Sequence, residues 1–309
     1  MTSPRLVTVD ADYLMPEFAA CYLRVQGGEA AFIETNTAYT VPRLMDALRK
    51  EGLRPEQVRW VIVTHAHLDH AGGASALLAE CPQATLVAHP RAARHLVDPS
   101  KLVASARAVY GDAEFDKLYG EIAPISAERV RTPEDGDTLP LGDATLHFLH
   151  TRGHANHHFV VHDPARETVF TGDTFGLAYP RLQRAGRFVF ASTSPTDFDA
   201  EQARLSVDRI IGLGTPTACL THFGEIDELA VAARQLHRWI DRSEDLMEQA
   251  ASLEPERRES FLFGELSRAM EEETDAVGLV LDERDRSQLE MDVRLNAQGL
   301  AFALSRKAR

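Results

Sequence analysis

Three histidines and an aspartate lie within the six-residue run His65-Ala66-His67-Leu68-Asp69-His70, directly after the apolar stretch Val58-Arg59-Trp60-Val61-Ile62-Val63-Thr64. The apolar stretch reads as a buried strand, so the polar run sits at a strand exit. In extended backbone, residues i and i+2 point the same way, so the imidazoles of His65 and His67 can grip one ion. Asp69 and His70 follow in the turn and can face a neighbouring position. Packing gives no reason to gather these groups. Without a metal they would repel one another or carry unmet polar atoms. The fold must therefore present rigid strand ends around a metal centre.

Three more donors stand at similar places. His154, in Thr-Arg-Gly-His, follows an expected strand over 144–150. Asp173, in Thr-Gly-Asp-Thr, ends one over 168–171. His222, in Leu-Thr-His-Phe-Gly, ends one over 218–221. His154 can complete a three-imidazole set, Asp173 can bridge through its two oxygens, and His222 can close a second position. Imidazole and carboxylate without thiolate suit zinc, and also iron or manganese. The expected cofactor is two divalent metal ions, zinc first. Such a pair, roughly 3.5–4 Å apart, can hold a hydroxide and polarise a substrate oxygen. The helix expected after Gly72-Gly73 would bring its N-terminus near, favouring negative charge there.

Along the chain, short strands are expected over 6–9, 21–26, 31–35, 58–64, 85–89, 138–141, 144–150, 158–162, 168–171 and 218–221, with a hairpin turn at Gly27-Gly28. Helices are expected from Pro42 to about Gly52, within 90–123, and from about Asp199 to Ile211. After Glu225 the pattern turns to Glu, Arg, Leu and Ala at helical spacing. The expected organisation is a metal-binding catalytic domain over 1–225 and an α-helical C-terminal region over 226–309. Strands in two groups, each followed by helices, point to sheets packed together with helices outside.

The 309 residues, 44% hydrophobic with net charge -14, are ample for a substantial core. So acidic a surface argues against nucleic acid as a partner. Cys21, Cys81 and Cys219 are odd in number and far apart, which reads as buried free thiols in a reducing cytoplasm rather than a disulfide framework. No signal peptide or membrane-spanning stretch is evident, so a cytoplasmic location without membrane partners is expected. A helical tail with apolar positions could serve a homodimer.

The runs His65-Ala66-His67-Leu68-Asp69-His70, Gly153-His154, Thr171-Gly172-Asp173-Thr174 and Thr221-His222 resemble, in order, the motifs of the metallo-β-lactamase superfamily. The resemblance implies an α/β (α+β) fold, an αββα four-layer sandwich of two mixed sheets with helices outside and metals at one edge, here with a C-terminal helical appendage. Within the family the set is most similar to the glyoxalase II and lactonase branches. It implies that His65, His67 and His154 bind the first metal, that Asp69, His70 and His222 bind the second, and that Asp173 bridges. Asp69 would also orient the attacking hydroxide or accept its proton. Arg152 stands where Pro is common. The Cys ligand of secreted β-lactam-cleaving members is absent, and His67 replaces the acidic residue of the diiron flavoprotein branch.

The segment 176–198 follows Asp173 and carries Tyr179, Arg181, Arg184, Arg187 and Phe188. Its plain reading is a solvated loop. As a lid, it would use Tyr179, Arg181 and Arg184 to bind substrate. His157 and His158 are candidates to support the metal ligands. The expected function is a dinuclear metal-dependent hydrolase that directs a metal-bridging hydroxide at a small ester, thioester or lactone. The alternative on the same ligands is an iron-containing oxidoreductase or dioxygen-binding protein.

Overall fold

The computed structural model describes residues 3–193 and 198–307; residues 194–197 of the segment after Asp173, and the terminal Arg309, lie outside them. In chain order the elements are β1 (Arg5–Asp10), β2 (Ala20–Gln26), β3 (Glu29–Ile33), α1 (Val41–Lys50), β4 (Val58–Ile62), α2 (Leu68–Ala71), α3 (Ala74–Glu80), β5 (Thr85–Val87), α4 (Pro90–Val97), α5 (Ser100–Tyr110), α6 (Asp112–Tyr119), β6 (Val130–Arg131), β7 (Thr138–Leu141), β8 (Ala144–His150), β9 (Phe159–Asp163), β10 (Thr168–Gly172), α7 (Ala200–Ile211), β11 (Thr217–Leu220), β12 (Gly224–Ile226), α8 (Leu229–Ala251), α9 (Pro255–Ala276) and α10 (Glu283–Lys307). Two six-stranded sheets form, in the orders β1-β2-β3-β4-β5-β6 and β12-β11-β10-β9-β8-β7. Both are mixed: β3, β4, β5 and β6 pair in parallel, as do β10 and β11, while β1–β2, β2–β3, β7–β8, β8–β9 and β9–β10 are antiparallel.

The chain divides into two compact units. The first holds residues 1–150, 157–172 and 217–225; the second holds 151–156, 173–216 and 226–309. The border expected at residue 225 is one of their borders. The second unit also takes chain from the middle of the sequence, which helical periodicity in the tail does not announce.

In the first unit the sheets face one another through period-two side chains. Ala20, Tyr22, Ala31, Ile33, Trp60, Ile62 and Val87 from one sheet meet Leu139, Leu146, Phe148, Phe159, Val161, Phe170 and Cys219 from the other. A fully buried aromatic of this kind contributes about 2–3 kcal/mol through area removed from water. Two polar ties cross the same layer. The Trp60 indole donates to the Pro140 carbonyl at 2.7 Å. Arg24, in phase with Ala20 and Tyr22 on β2, donates through Nε to Asp163 on β9 at 2.5 Å, both side chains fully buried. All three cysteines are buried and free. Among the described residues, no helix is long and apolar enough to cross a membrane.

In the second unit, α7 packs on α8, and α10 packs on α9. The extended chain after Asp173 is held by polar groups of these helices. Gln235 on α8 accepts from the Val189 N–H at 2.9 Å and donates to the Arg187 carbonyl at 2.6 Å. Asn296 on α10 accepts from the Thr193 N–H at 2.9 Å and donates to the Ala191 carbonyl at 3.1 Å. Asp285, at the start of α10, takes Arg181 Nε at 2.6 Å and is also paired with Arg184.

Burial pushes the Asp285 carboxyl up, but hydrogen bonds from the Asp282 N–H, Arg184 and Arg181 outweigh it and hold it below its ordinary value. A depressed folded-state pKa contributes stability above the unfolded value, near 3.9, that is lost as pH falls from there toward the folded value. Thermal unfolding from pH 6 down to pH 2 is the check. Asp285→Asn should lower the midpoint by a few degrees at neutral pH, and its disadvantage should shrink below about pH 4. A constant difference between the two proteins across that range would contradict this.

Candidate metal centre

The polar run begins where β4 ends. Thr64, the last residue of the apolar stretch, donates to Glu34, and its hydroxyl lies 3.1 Å from His65 Nδ1. That leaves His65 Nε2 directed at His67 Nδ1, only 2.6 Å away. Two imidazole nitrogens so close face one another, as expected for residues at i and i+2, and could hold one ion between them.

The turn then closes into the single-turn helix α2. The loop after β3 fastens it: the Thr35 N–H and hydroxyl both donate to the His70 carbonyl, at 2.9 and 2.8 Å, and Asn36 Nδ2 donates to the Asp69 carbonyl at 2.8 Å. Gly73 is required by close approach. A Cβ there would lie 2.6 Å from the Thr37 carbonyl oxygen and 2.7 Å from that of Thr35. With α2 so held, His70 Nε2 lies 3.7 Å and His222 Nε2 lies 3.4 Å from Asp69 Oδ2. Donor atoms of Asp69, His70 and His222 all fall within 4.8 Å of one another.

The outer nitrogens are committed elsewhere. His222 Nδ1 donates to the Phe18 carbonyl at 2.9 Å. His70 Nδ1 donates to Glu34 Oε1 at 3.1 Å. Each contact fixes the tautomer, so that each ring offers Nε2 to an ion. The donor set of imidazoles and carboxylate, convergent and tautomerically fixed, fits a divalent metal.

Glu34 was not among the residues the sequence offered. It is 1% exposed and also accepts from the Thr221 hydroxyl at 3.3 Å. One carboxylate, itself just past β3, thus meets Thr64 after β4, His70 in α2 and Thr221 after β11. Its φ of +65° is left-handed, a conformation that costs on the order of 1 kcal/mol or more when the residue carries a side chain. A signal for it existed: Glu34 ends the apolar run Ala30-Ala31-Phe32-Ile33, the same strand-exit position that singled out Asp173. His158 is fully buried with its ring 5.0 Å from that of His65, and His157 Nδ1 accepts from the Ala66 N–H at 3.4 Å.

A family model described as the metallo-beta-lactamase superfamily matches residues 14–222, most of the chain. The chain belongs to the metallo-beta-lactamase superfamily. It is 26% identical over 173 residues to metallo-beta-lactamase fold-containing protein ST1585 of Sulfurisphaera tokodaii, covering 55% of this chain and 62% of that protein. It is 32% identical over 160 residues to a hydroxyacylglutathione hydrolase of Maricaulis maris, covering 50% of this chain and 46% of that protein. The matches therefore span about half to three-fifths of those relatives' length. The solved structure of ST1585 from Sulfolobus tokodaii is similar over 96% of this chain and 97% of that one, with a TM-score of 0.64 at 20% identity. The two-sheet α/β architecture is that of this superfamily, and the C-terminal helices α8, α9 and α10 follow the matched residues.

Of the family's motif residues, His65, His67, Asp69, His70 and His222 belong to the first unit, while His154 and Asp173 belong to the second. In the latter, His154 Nε2 lies 3.4 Å from Asp173 Oδ2, and both side chains are buried. Gly153 precedes His154 because the chain there passes hard against α7: a Cβ would lie 2.3 Å from the Ala203 nitrogen, and its φ is +116°.

The three side chains offered for substrate are engaged within the second unit. Tyr179 is 1% exposed, and its hydroxyl donates to Asp292 on α10 at 3.2 Å. Arg181 pairs with Asp282 and Asp285, and Arg184 with Asp285. The spacing of arginines in the sequence gave no sign that α10 carries the carboxylates they meet.

In the first unit a different set borders the ligands. The Phe18 ring lies edge-on to His222, centroids 5.3 Å apart. Tyr13 is 6.1 Å beyond Phe18, and Tyr119 is 6.3 Å beyond Tyr13. The Tyr13 hydroxyl donates to that of Tyr119 at 3.3 Å. Burial, with the nearby Asp69 charge next, pushes the Tyr13 phenol well up. Burial does the same to Tyr119, so both remain protonated at neutral pH.

Proposed function

We propose that this protein is a metal-dependent hydrolase that opens a small ester, thioester or lactone with water. The observation that carries the reading is the convergence of His70 Nε2 and His222 Nε2 on Asp69, each ring locked through its other nitrogen. His65 and His67 would hold one divalent ion, and Asp69, His70 and His222 a second. That His154 and Asp173 join them is what the family's motif order implies. Bound ions would polarise the substrate carbonyl and make water acidic enough to be deprotonated near neutral pH.

The remaining work falls to the chain. Asp69, at 28% exposure, has access to solvent, and it orients the attacking water and takes its proton. His65 and His70 are fully buried, which keeps bulk water from their outer faces. Water adds to the carbonyl carbon, the carbon–oxygen or carbon–sulfur bond breaks, and the proton passes to the leaving group. The name of the Maricaulis maris relative makes hydroxyacylglutathione the first substrate to try.

The test is elemental analysis of protein purified without added metal, with an absorption spectrum and a hydrolysis panel on the same sample. About two zinc per chain, no visible band and turnover of at least one ester, thioester or lactone is the expected result. Fewer than one metal per chain would sink the reading. Iron with a coloured band and no hydrolysis would put the oxidoreductase reading in its place.

A further inference from the structure

Two side-chain amides of the second unit grip the chain after Asp173 in the same way, and they differ in what lies behind the grip. Gln235 on α8 donates to the Arg187 carbonyl and accepts from the Val189 N–H, so it brackets Phe188. Asn296 on α10 donates to the Ala191 carbonyl and accepts from the Thr193 N–H, so it brackets Ser192. The Thr193 hydroxyl adds a bond to the Asn296 carbonyl at 3.3 Å. In extended chain, the carbonyl before a residue and the N–H after it point to one side, and the residue's own carbonyl points to the other. An amide on one side therefore aims the bracketed carbonyl away from itself. The Phe188 carbonyl meets the side chain of Gln183, at 2.7 Å. The Ser192 carbonyl meets Nδ1 of His154, at 3.4 Å.

A carbonyl can only accept, so this contact puts the His154 proton on Nδ1 and a lone pair on Nε2. Nε2 is the nitrogen that lies 3.4 Å from Asp173 Oδ2. Resting on the proposed reading of His154 as a metal ligand, we infer that Asn296 is its positioning residue: through Ser192 it fixes the tautomer and the direction of the His154 ring, and with them the hold on the ion at Nε2. Asn296 touches neither ion nor substrate. It is 3% exposed, and its amide satisfies a buried N–H and a buried carbonyl without placing a charge among apolar groups. The last helix of the chain thereby takes a part in metal binding that its packing on α9 does not require.

Withdrawing zinc from the loaded full-length protein with a graded chelator tests this without turnover. Loss of a group that orients a ligand costs about tenfold to a hundredfold in metal affinity, so Asn296→Ala should release one zinc that much more readily, while Gln235→Ala stays within about threefold of the parent. The two variants lose the same pair of hydrogen bonds, but only Asn296 has a ligand behind the residue it brackets. Equal weakening in both would mean a loosened chain rather than an aimed ligand, and overturns the assignment. So does an unchanged affinity in Asn296→Ala. If Asn296→Ala does not fold, nitrogen-15 NMR of the zinc-loaded parent decides, with the His154 signal identified by its loss in His154→Ala. A proton on Nδ1 upholds the assignment, and a proton on Nε2 overturns it. The underlying readings fail separately. His154→Ala that keeps all its zinc removes His154 from the ligands, and the assignment with it. Zinc lost from His154→Ala but held in Asn296→Ala removes the assignment alone. Weakened zinc in Asn296→Ala, with no ester, thioester or lactone turned over by the parent, upholds the assignment and removes the hydrolase.

Discussion

Asp69→Asn is expected to leave a folded protein holding about one metal ion fewer per chain and hydrolysing its substrates about a hundredfold to a thousandfold more slowly. The fold should survive because Asn has the same shape, and because the contact that fastens α2 uses the Asp69 carbonyl, which accepts from Asn36, and not its carboxylate. The metal should be lost because the charged oxygen lies between His70 Nε2 and His222 Nε2, at 3.7 and 3.4 Å. A neutral amide there is a poor ligand for a hard divalent ion and cannot take a proton from water. Elemental analysis and kcat/KM on one preparation are the check. Full metal content with an unchanged rate would remove Asp69 from both roles.

The largest expected effect on stability lies far from the metal ligands. Asp163→Ala should destabilise the protein by about 3–5 kcal/mol, because it strands the Arg24 guanidinium in the apolar layer between the sheets. Both side chains are fully buried and joined at 2.5 Å, and the second Asp163 oxygen accepts from the Ala165 N–H at 3.1 Å. Arg24→Met combined with Asp163→Ala should recover most of that loss, since a buried ion pair seldom outperforms hydrocarbon of similar volume. Urea unfolding of the parent, the single and the double variant decides it. A single variant within 1 kcal/mol of the parent, or a double variant as unstable as the single, would show that the pair is not a desolvated unit.

Much of the first unit was readable because its strands obey simple rules. β4 is an apolar run with one outward Arg59, and β8 alternates buried and open positions as a half-covered strand should. The cluster of His65, His67, Asp69 and His70 was readable for a related reason: polar side chains crowded at a strand exit have no packing use. What escaped were features that depend on partners remote in sequence. Glu34 looks like an ordinary acidic residue until the groups after β4 and β11 arrive around it. Tyr13 and Tyr119 stand 106 residues apart, and no periodicity links them. Arg181 and Arg184 looked available to a substrate because the carboxylates they meet lie about a hundred residues downstream. β6 and β12 span only two and three residues, too short for any period to register.

The way the chain threads its two units bears on how it could have been assembled or trimmed. It passes from one unit to the other after residues 150, 156, 172, 216 and 225. Neither unit is therefore a continuous cassette that recombination could have appended whole or a single protease cut could release whole. A stop codon after Glu225 would not shed an accessory tail. It would strip α7 of α8, take Gln235 and Asn296 from the extended chain that leads away from Asp173, and leave Arg181 and Arg184 without Asp285. The C-terminal helices belong to the inheritance of the middle of the sequence, and the two stretches have to vary together.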